Sequence, residues 1–156
     1  MKILGIDTST MAANVAVLED DKLICEYTIN TKKTHSQKLM PMIENMLKLS
    51  DLDIKEIDAI AICVGPGSFT GLRIGIATVK AFCDSKKISY KGVSSLQSLA
   101  YNSKQVYGNN FSGLVCSIID CKNSNCYFAL YEFKKGICHT LIDPTADTIE
   151  NALNAL

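Results

Sequence analysis

Apolar positions along the chain change their period several times, and each change marks a predicted element. Residues 2–7 (KILGID), 13–18 (ANVAVL) and 23–29 (LICEYTI) are short, nearly continuous apolar runs, the pattern of buried strands. The acidic EDDK at 19–22 links the last two, and such short links predict an antiparallel meander. Through HSQKLMPMIENMLKLS the residues Leu39, Ile43, Met46 and Leu47 recur at helical spacing, which predicts an amphipathic helix over 36–50. Pro41 falls inside that run, and its missing amide is expected to delay the regular part or kink it. Asp53 and Glu56 have capping-box spacing for one further turn. DAIAICVG at 58–65 predicts a buried strand, followed by a helix from Ser68 or Thr70 to Asp84. A strand within 87–93 and a helix capped by Ser94 or Ser95 come next.

The stretch YGNNFSG at 107–113 reads as a linker, so the chain is expected to divide into residues 1–107 and 108–156. Beyond it lie two strands, LVCSIID and CYFALYEF, a lysine-glycine turn at 134–136, and a third strand near 137–142. PTADTIENALNAL closes the chain as a helix with Thr145 or Asp147 near its cap. The order βββαβαβα adds crossover-connected parallel neighbours to an antiparallel meander. It predicts an α/β fold with a mixed sheet flanked by helices, a ribonuclease-H-like lobe. LGIDTST in the first part and SIIDCKN in the second are each an apolar strand ending in aspartate. This echo predicts a second, similar lobe that is cut short.

Composition narrows the function. Hydrophobic residues make up 47% and charged residues 21%, enough to bury a core. Sixteen basic and sixteen acidic side chains cancel, whereas autonomous binding of nucleic acid draws on a basic surplus. Any contact with RNA is therefore expected to run through a partner. The sequence has no apolar run of membrane-spanning length, and MKILGIDTST does not resemble a signal peptide, so a cytoplasmic protein is expected. The seven cysteines, most of them in apolar runs, fit packed free thiols, and no ligand pair has zinc-site spacing. No bound metal is expected.

The segment VGPGSFTGLRIG at 64–75 holds four glycines. It is not a Walker loop, because Leu72 and Arg73, not a lysine and a hydroxyl residue, follow Gly71. It is not a dinucleotide fingerprint either, since it does not follow the first strand. The residues fit a strand-breaking turn, a serine or threonine cap, and a helix notched by Gly71 and Gly75. Each interior glycine costs about 1 kcal/mol relative to alanine, so the notches imply close backbone approach. Two outcomes stand open: the first helix covers the apolar second helix, or the two helices present a joint surface to another subunit. DTST at 7–10 sits where hexokinase-like ATPases hold metal and phosphate, which makes Asp7, Thr8 and Ser9 candidate phosphate contacts, with Asp120 as the counterpart in the second part. A structural turn fits Asp7 as well. His35 and His139 lack the neighbours a metal ligand or general base needs, and no catalytic constellation is readable.

ILGIDTST, HSQKLMPMI at 35–43 and above all GPGSFTGLRIGIATVKAF at 65–82 resemble the TsaB (YeaZ) family, over Met1 to about Phe133. The resemblance implies an ASKHA-type two-lobed fold and a non-catalytic subunit in making threonylcarbamoyladenosine beside the tRNA anticodon. It implies a TsaD-like catalytic partner, a TsaE-like ATPase, and a TsaC-type supplier of threonylcarbamoyl-adenylate. It also implies contact with tRNA only through the complex, and homodimers when the chain is alone. Its partner surface would lie on the first two helices, at His35, Leu39, Ile43, Met46, Gly71, Leu72, Gly75, Ile76 and Val79. No cofactor is implied apart from a nucleotide at an inter-subunit site within the complex. The alternatives are an ASKHA-type kinase or ATPase and an M22-like metallopeptidase. DCKNSNCYFALY keeps Asp120 and Tyr127 of the family pattern but has Lys122 where the family has arginine, and the second lobe is short. Both departures weaken the case for a nucleotide in the cleft.

Overall fold

A computed structural model describes residues 1–31 and 35–155. They fall into two compact units divided between Val93 and Ser94.

The first unit contains strands β1 (Lys2–Asp7), β2 (Ala12–Glu19) and β3 (Lys22–Asn30), helix α1 (His35–Leu49), strand β4 (Ala59–Gly65), helix α2 (Phe69–Lys86) and strand β5 (Ser89–Ser94). Its sheet has the order β3-β2-β1-β4-β5. β1 pairs antiparallel with β2 and parallel with β4, so the sheet is mixed, as the element order predicts. Alternation along the strands turns Leu4, Ile6, Val15, Val17, Ile60 and Ile62 to one face. There they form a core with Leu39, Ile43 and Met46 of α1 and Val79 of α2. Each such side chain stabilises by about 1.5–3 kcal/mol relative to exposure, so this layer holds the unit together.

Local chemistry sets the helix ends. Ser68 caps α2, its Oγ accepting from the Gly71 amide at 3.3 Å. The 3-10 turn Ile54–Glu56 carries the full capping box: the Asp53 carboxylate accepts from the Lys55 amide, and the Glu56 carboxylate accepts from the Asp53 amide at 2.8 Å. Pro41 does not delay α1, which begins ahead of it at His35 and continues through it to Leu49. The carbonyl that loses its donor belongs to Gln37, and both residues are exposed, so water can serve it.

The second unit contains α3 (Ser95–Tyr107, capped by Ser94), β6 (Gly113–Lys122), β7 (Asn125–Lys134), β8 (Ile137–Thr148) and α4 (Ile149–Asn154). Its antiparallel sheet runs β6-β7-β8. The division expected at 107/108 moves to 93/94, because α3 buries Leu96 and Ala100 against Ala129, Tyr131 and Phe133 of β7. The linker-like glycine and asparagines only turn the chain from α3 into β6. Strand β8 runs to Thr148, past the expected end near 142, and Thr148 rather than Thr145 or Asp147 caps α4. Pro144 is tolerated there because β8 is an edge strand and the pairing shifts beside it. Lys135 and Gly136, both at positive φ, make the two-residue turn into β8.

Candidate functional site

Two motifs that the sequence presents separately form one joint. β1 ends at Asp7, and Thr8 and Ser9 behind it are buried, at 0% and 3% exposure. The Thr8 hydroxyl donates to the Gly71 carbonyl at 2.8 Å, and the Ser68 amide donates to the Ser9 carbonyl at 2.6 Å. From α1, His35 Nε2 lies 2.9 Å from the Thr10 carbonyl. A carbonyl only accepts, so Nε2 is the nitrogen that carries the proton. The turn after β1 is thus stitched to the first residue of α1 and the first turn of α2.

The glycines make this approach feasible. A Cβ on Gly67 would strike Ser9, one on Gly71 would strike the Thr8 carbonyl oxygen, and one on Gly75 would strike Thr8 Oγ1. These glycines stand four apart and admit the β1 turn against the helix backbone. Gly65 has a separate reason, a φ of 111° that side chains rarely adopt.

The nine residues expected at a partner surface therefore divide. Leu39, Ile43, Met46, Gly71, Gly75 and Val79 are buried within the first unit and have no surface to offer, which corrects their assignment. The glycine notches imply close backbone approach, as the sequence suggests, but what approaches is the chain's own β1 turn. His35, Leu72 and Ile76 are half-buried. The side chains that α1 and α2 do expose are others: Met40 and Leu49 on α1, and Phe69 and Arg73 on α2. Phe69 is 74% exposed at the start of α2, and the Arg73 guanidinium lies 5.4 Å from its ring centroid. Periodicity could not single out Phe69, because α2 is apolar on nearly every side.

The candidate phosphate contacts are engaged within the chain. Asp7 Oδ1 accepts from the Ser9 amide at 2.7 Å, a local turn of the kind aspartate favours. Thr8 and Ser9 are spent on α2. In the second unit Asp120 Oδ1 accepts from the Lys122 amide at 2.8 Å, at the bulge that ends β6. The echo between the two parts is therefore geometric: each aspartate, at the end of β1 and near the end of β6, accepts from the amide two residues on. Among the described residues, no three His, Cys, Asp or Glu side chains gather as metal ligands. Burial pushes the Cys83, Cys116 and Cys138 thiols up from the ordinary value, which weakens them as nucleophiles. Among the described residues, no helix is long and apolar enough to cross a membrane.

The chain is similar to known proteins. A family model described as "TsaD: tRNA N6-adenosine threonylcarbamoyltransferase" matches residues 22–156. The chain is 37% identical over 142 residues to the tRNA threonylcarbamoyladenosine biosynthesis protein TsaB of Bacillus subtilis (strain 168), covering 91% of this chain and 60% of that protein. It is 33% identical over 140 residues to TsaB of Escherichia coli (strain K12), with shares of 89% and 59%. It thus spans about three-fifths of the length of these curated relatives. The solved structure of YeaZ from Pseudomonas aeruginosa matches with a TM-score of 0.80 at 28% identity, over 94% of this chain and 66% of that one. A ROK hexokinase from Thermus thermophilus, with a TM-score of 0.58 at 13% identity over 89% of this chain and 49% of that one, shares the fold alone. With the mixed sheet, the notched helix and the aspartate turn described above, and with these matches, the chain belongs to the family of TsaD- and TsaB (YeaZ)-type proteins of tRNA threonylcarbamoyladenosine biosynthesis.

Proposed function

We propose that the chain acts as a non-catalytic subunit in threonylcarbamoyl transfer to tRNA, docking a TsaD-type catalytic subunit on the outer face of α1 and α2. A TsaE-type ATPase joins the complex, tRNA is met through it, and the same face pairs two copies when the partner is absent. Family membership and the names of the relatives support the pathway. The observation that carries the non-catalytic reading is the state of the β1 turn. Where a hexokinase-like site needs free backbone amides and hydroxyls, Thr8 is hydrogen-bonded to α2 and both Thr8 and Ser9 are buried.

The docking reading draws on the exposed Met40, Leu49 and Phe69 of α1 and α2. Aromatic residues and arginine are favoured at binding hot spots. Co-elution of the purified chain with a TsaD-type subunit is expected, and Phe69→Ser abolishes or strongly weakens it while the variant stays folded. Gly75 is unsuitable for this test because it faces Thr8 inside the unit. Unchanged co-elution by Phe69→Ser together with Met40→Ser would overturn the assigned face. Metal-dependent ATP hydrolysis by the chain alone, lost in Asp7→Ala, would overturn the non-catalytic reading in favour of an ATP-using enzyme. Stoichiometric bound metal would favour a metallopeptidase.

A further inference from the structure

We infer that His35 is a positioning residue that fixes the axial register of α1 against the β1 turn, and with it the outer face of α1 and α2. Its bearing on docking rests on the reading proposed above. The three consecutive carbonyls of the turn are each met from a helix end. Gly71, lacking a side chain, lies against the Thr8 carbonyl, the Ser68 amide donates to that of Ser9, and His35 Nε2 donates to that of Thr10. The same imidazole lies beside α2, its Cδ2 3.2 Å from where a Gly71 Cβ would stand. One ring therefore bonds the turn and lies against the open side of Gly71 in α2, from the first residue of α1.

The packing of α1 makes such a pin useful. Leu39, Ile43 and Met46 hold the helix to the sheet through apolar burial, which is non-directional and penalises a small axial slide weakly. A hydrogen bond depends on distance and angle, so the Nε2–carbonyl contact defines the axial position. Histidine suits the role because Nε2 stays a donor in both the Nε2–H neutral form and the imidazolium. A leucine would fill similar space without a donor, whereas glutamine places an amide donor at a comparable reach.

Long-range proton–nitrogen spectra of the chain alone test the geometry first. The His35 signal, assigned by its loss in His35→Leu, is expected as the Nε2–H tautomer; an Nδ1–H tautomer would overturn the inference. Amide exchange in the first turn of α1 should speed up in His35→Leu and recover in His35→Gln. Where binding must restore the register that His35→Leu loosens, the variant binds the TsaD-type subunit more weakly by up to about fivefold, the worth of one net hydrogen bond, with His35→Gln within about twofold of wild type. Wild-type affinity and wild-type exchange in His35→Leu would also overturn it. If the wild-type chain does not bind the subunit at all, the docking reading falls, and the tautomer and exchange results still decide the role of His35. If His35→Leu does not fold, the signal is assigned by its loss in His35→Gln, and the tautomer together with the exchange profile of His35→Gln decides the same question.

Discussion

The notch at Gly75 permits a test in which a normally helpful substitution becomes harmful and can be rescued. In an unconstrained helix interior, Gly→Ala stabilises by about 1 kcal/mol. Here the added methyl would strike Thr8 Oγ1 and lie 3.1 Å from Ile62 Cδ1, with Thr8 Cβ at an ordinary 3.6 Å. Overpacking of this kind costs about 1–3 kcal/mol, so Gly75→Ala should come out neutral to about 2 kcal/mol destabilising. Thr8→Ala removes the obstructing oxygen and its hydrogen bond to the Gly71 carbonyl, for about 0.5–1.5 kcal/mol. In that background Gly75→Ala meets only the flexible end of Ile62 and should become neutral or stabilising. The double variant is then expected to be more stable than the sum of the singles by about 1–3 kcal/mol. Gly71→Ala meets the Thr8 carbonyl oxygen, which no side-chain change removes, so it should remain destabilising in both backgrounds. Urea titration followed by the amide signals of residues 1–93 separates this unit's transition from that of the second. Additivity within about 0.5 kcal/mol, or a stabilising Gly75→Ala in the wild-type background, would refute the joint between α2 and the β1 turn.

Other expectations follow from single contacts. The Glu56 carboxyl is held below its ordinary range by the Asp53 amide first and the Lys2 ammonium second, so its stabilising effect is present at neutral pH and lost as pH falls through the carboxylate range. The melting temperature of wild type should therefore exceed that of Glu56→Ala at pH 7, and the difference should shrink in acid. The raised Cys83 thiol favours the folded state fully below the ordinary thiol pKa and loses that contribution as pH rises through the folded value. At pH 8 it should alkylate more slowly in the native protein than in urea, as mass spectrometry of the peptide would show. Asp7→Asn keeps an oxygen acceptor for the Ser9 amide and should retain stability, whereas Asp7→Ala should lose about 1 kcal/mol by urea titration. Phe69→Ser, exposed at the start of α2, should leave unfolding within about 0.5 kcal/mol of wild type, which makes it a clean probe of docking.

Period and local chemistry carried much of this protein in the sequence alone. The alternation of strands and helices predicted the mixed sheet, because a side chain's face is set by its position within a strand or helix turn. Ser68, Ser94 and the Asp53–Glu56 box marked element ends, because capping depends on residues a few positions apart. The glycine block and its flanking motifs signalled the family. Contacts between residues distant in sequence needed the tertiary structure. The sequence required the glycines to admit some backbone, but only the fold identified it as the turn at Thr8 and Ser9, some sixty residues earlier. Likewise the helical period marked Leu39, Ile43, Met46 and Leu47 of α1 as one apolar set, and the fold turned that set inward and left Met40 of α1 and Phe69 of α2 outside. The allegiance of α3 was decided in the same way, by the burial of Leu96 and Ala100 against β7, which no pattern within α3 encodes.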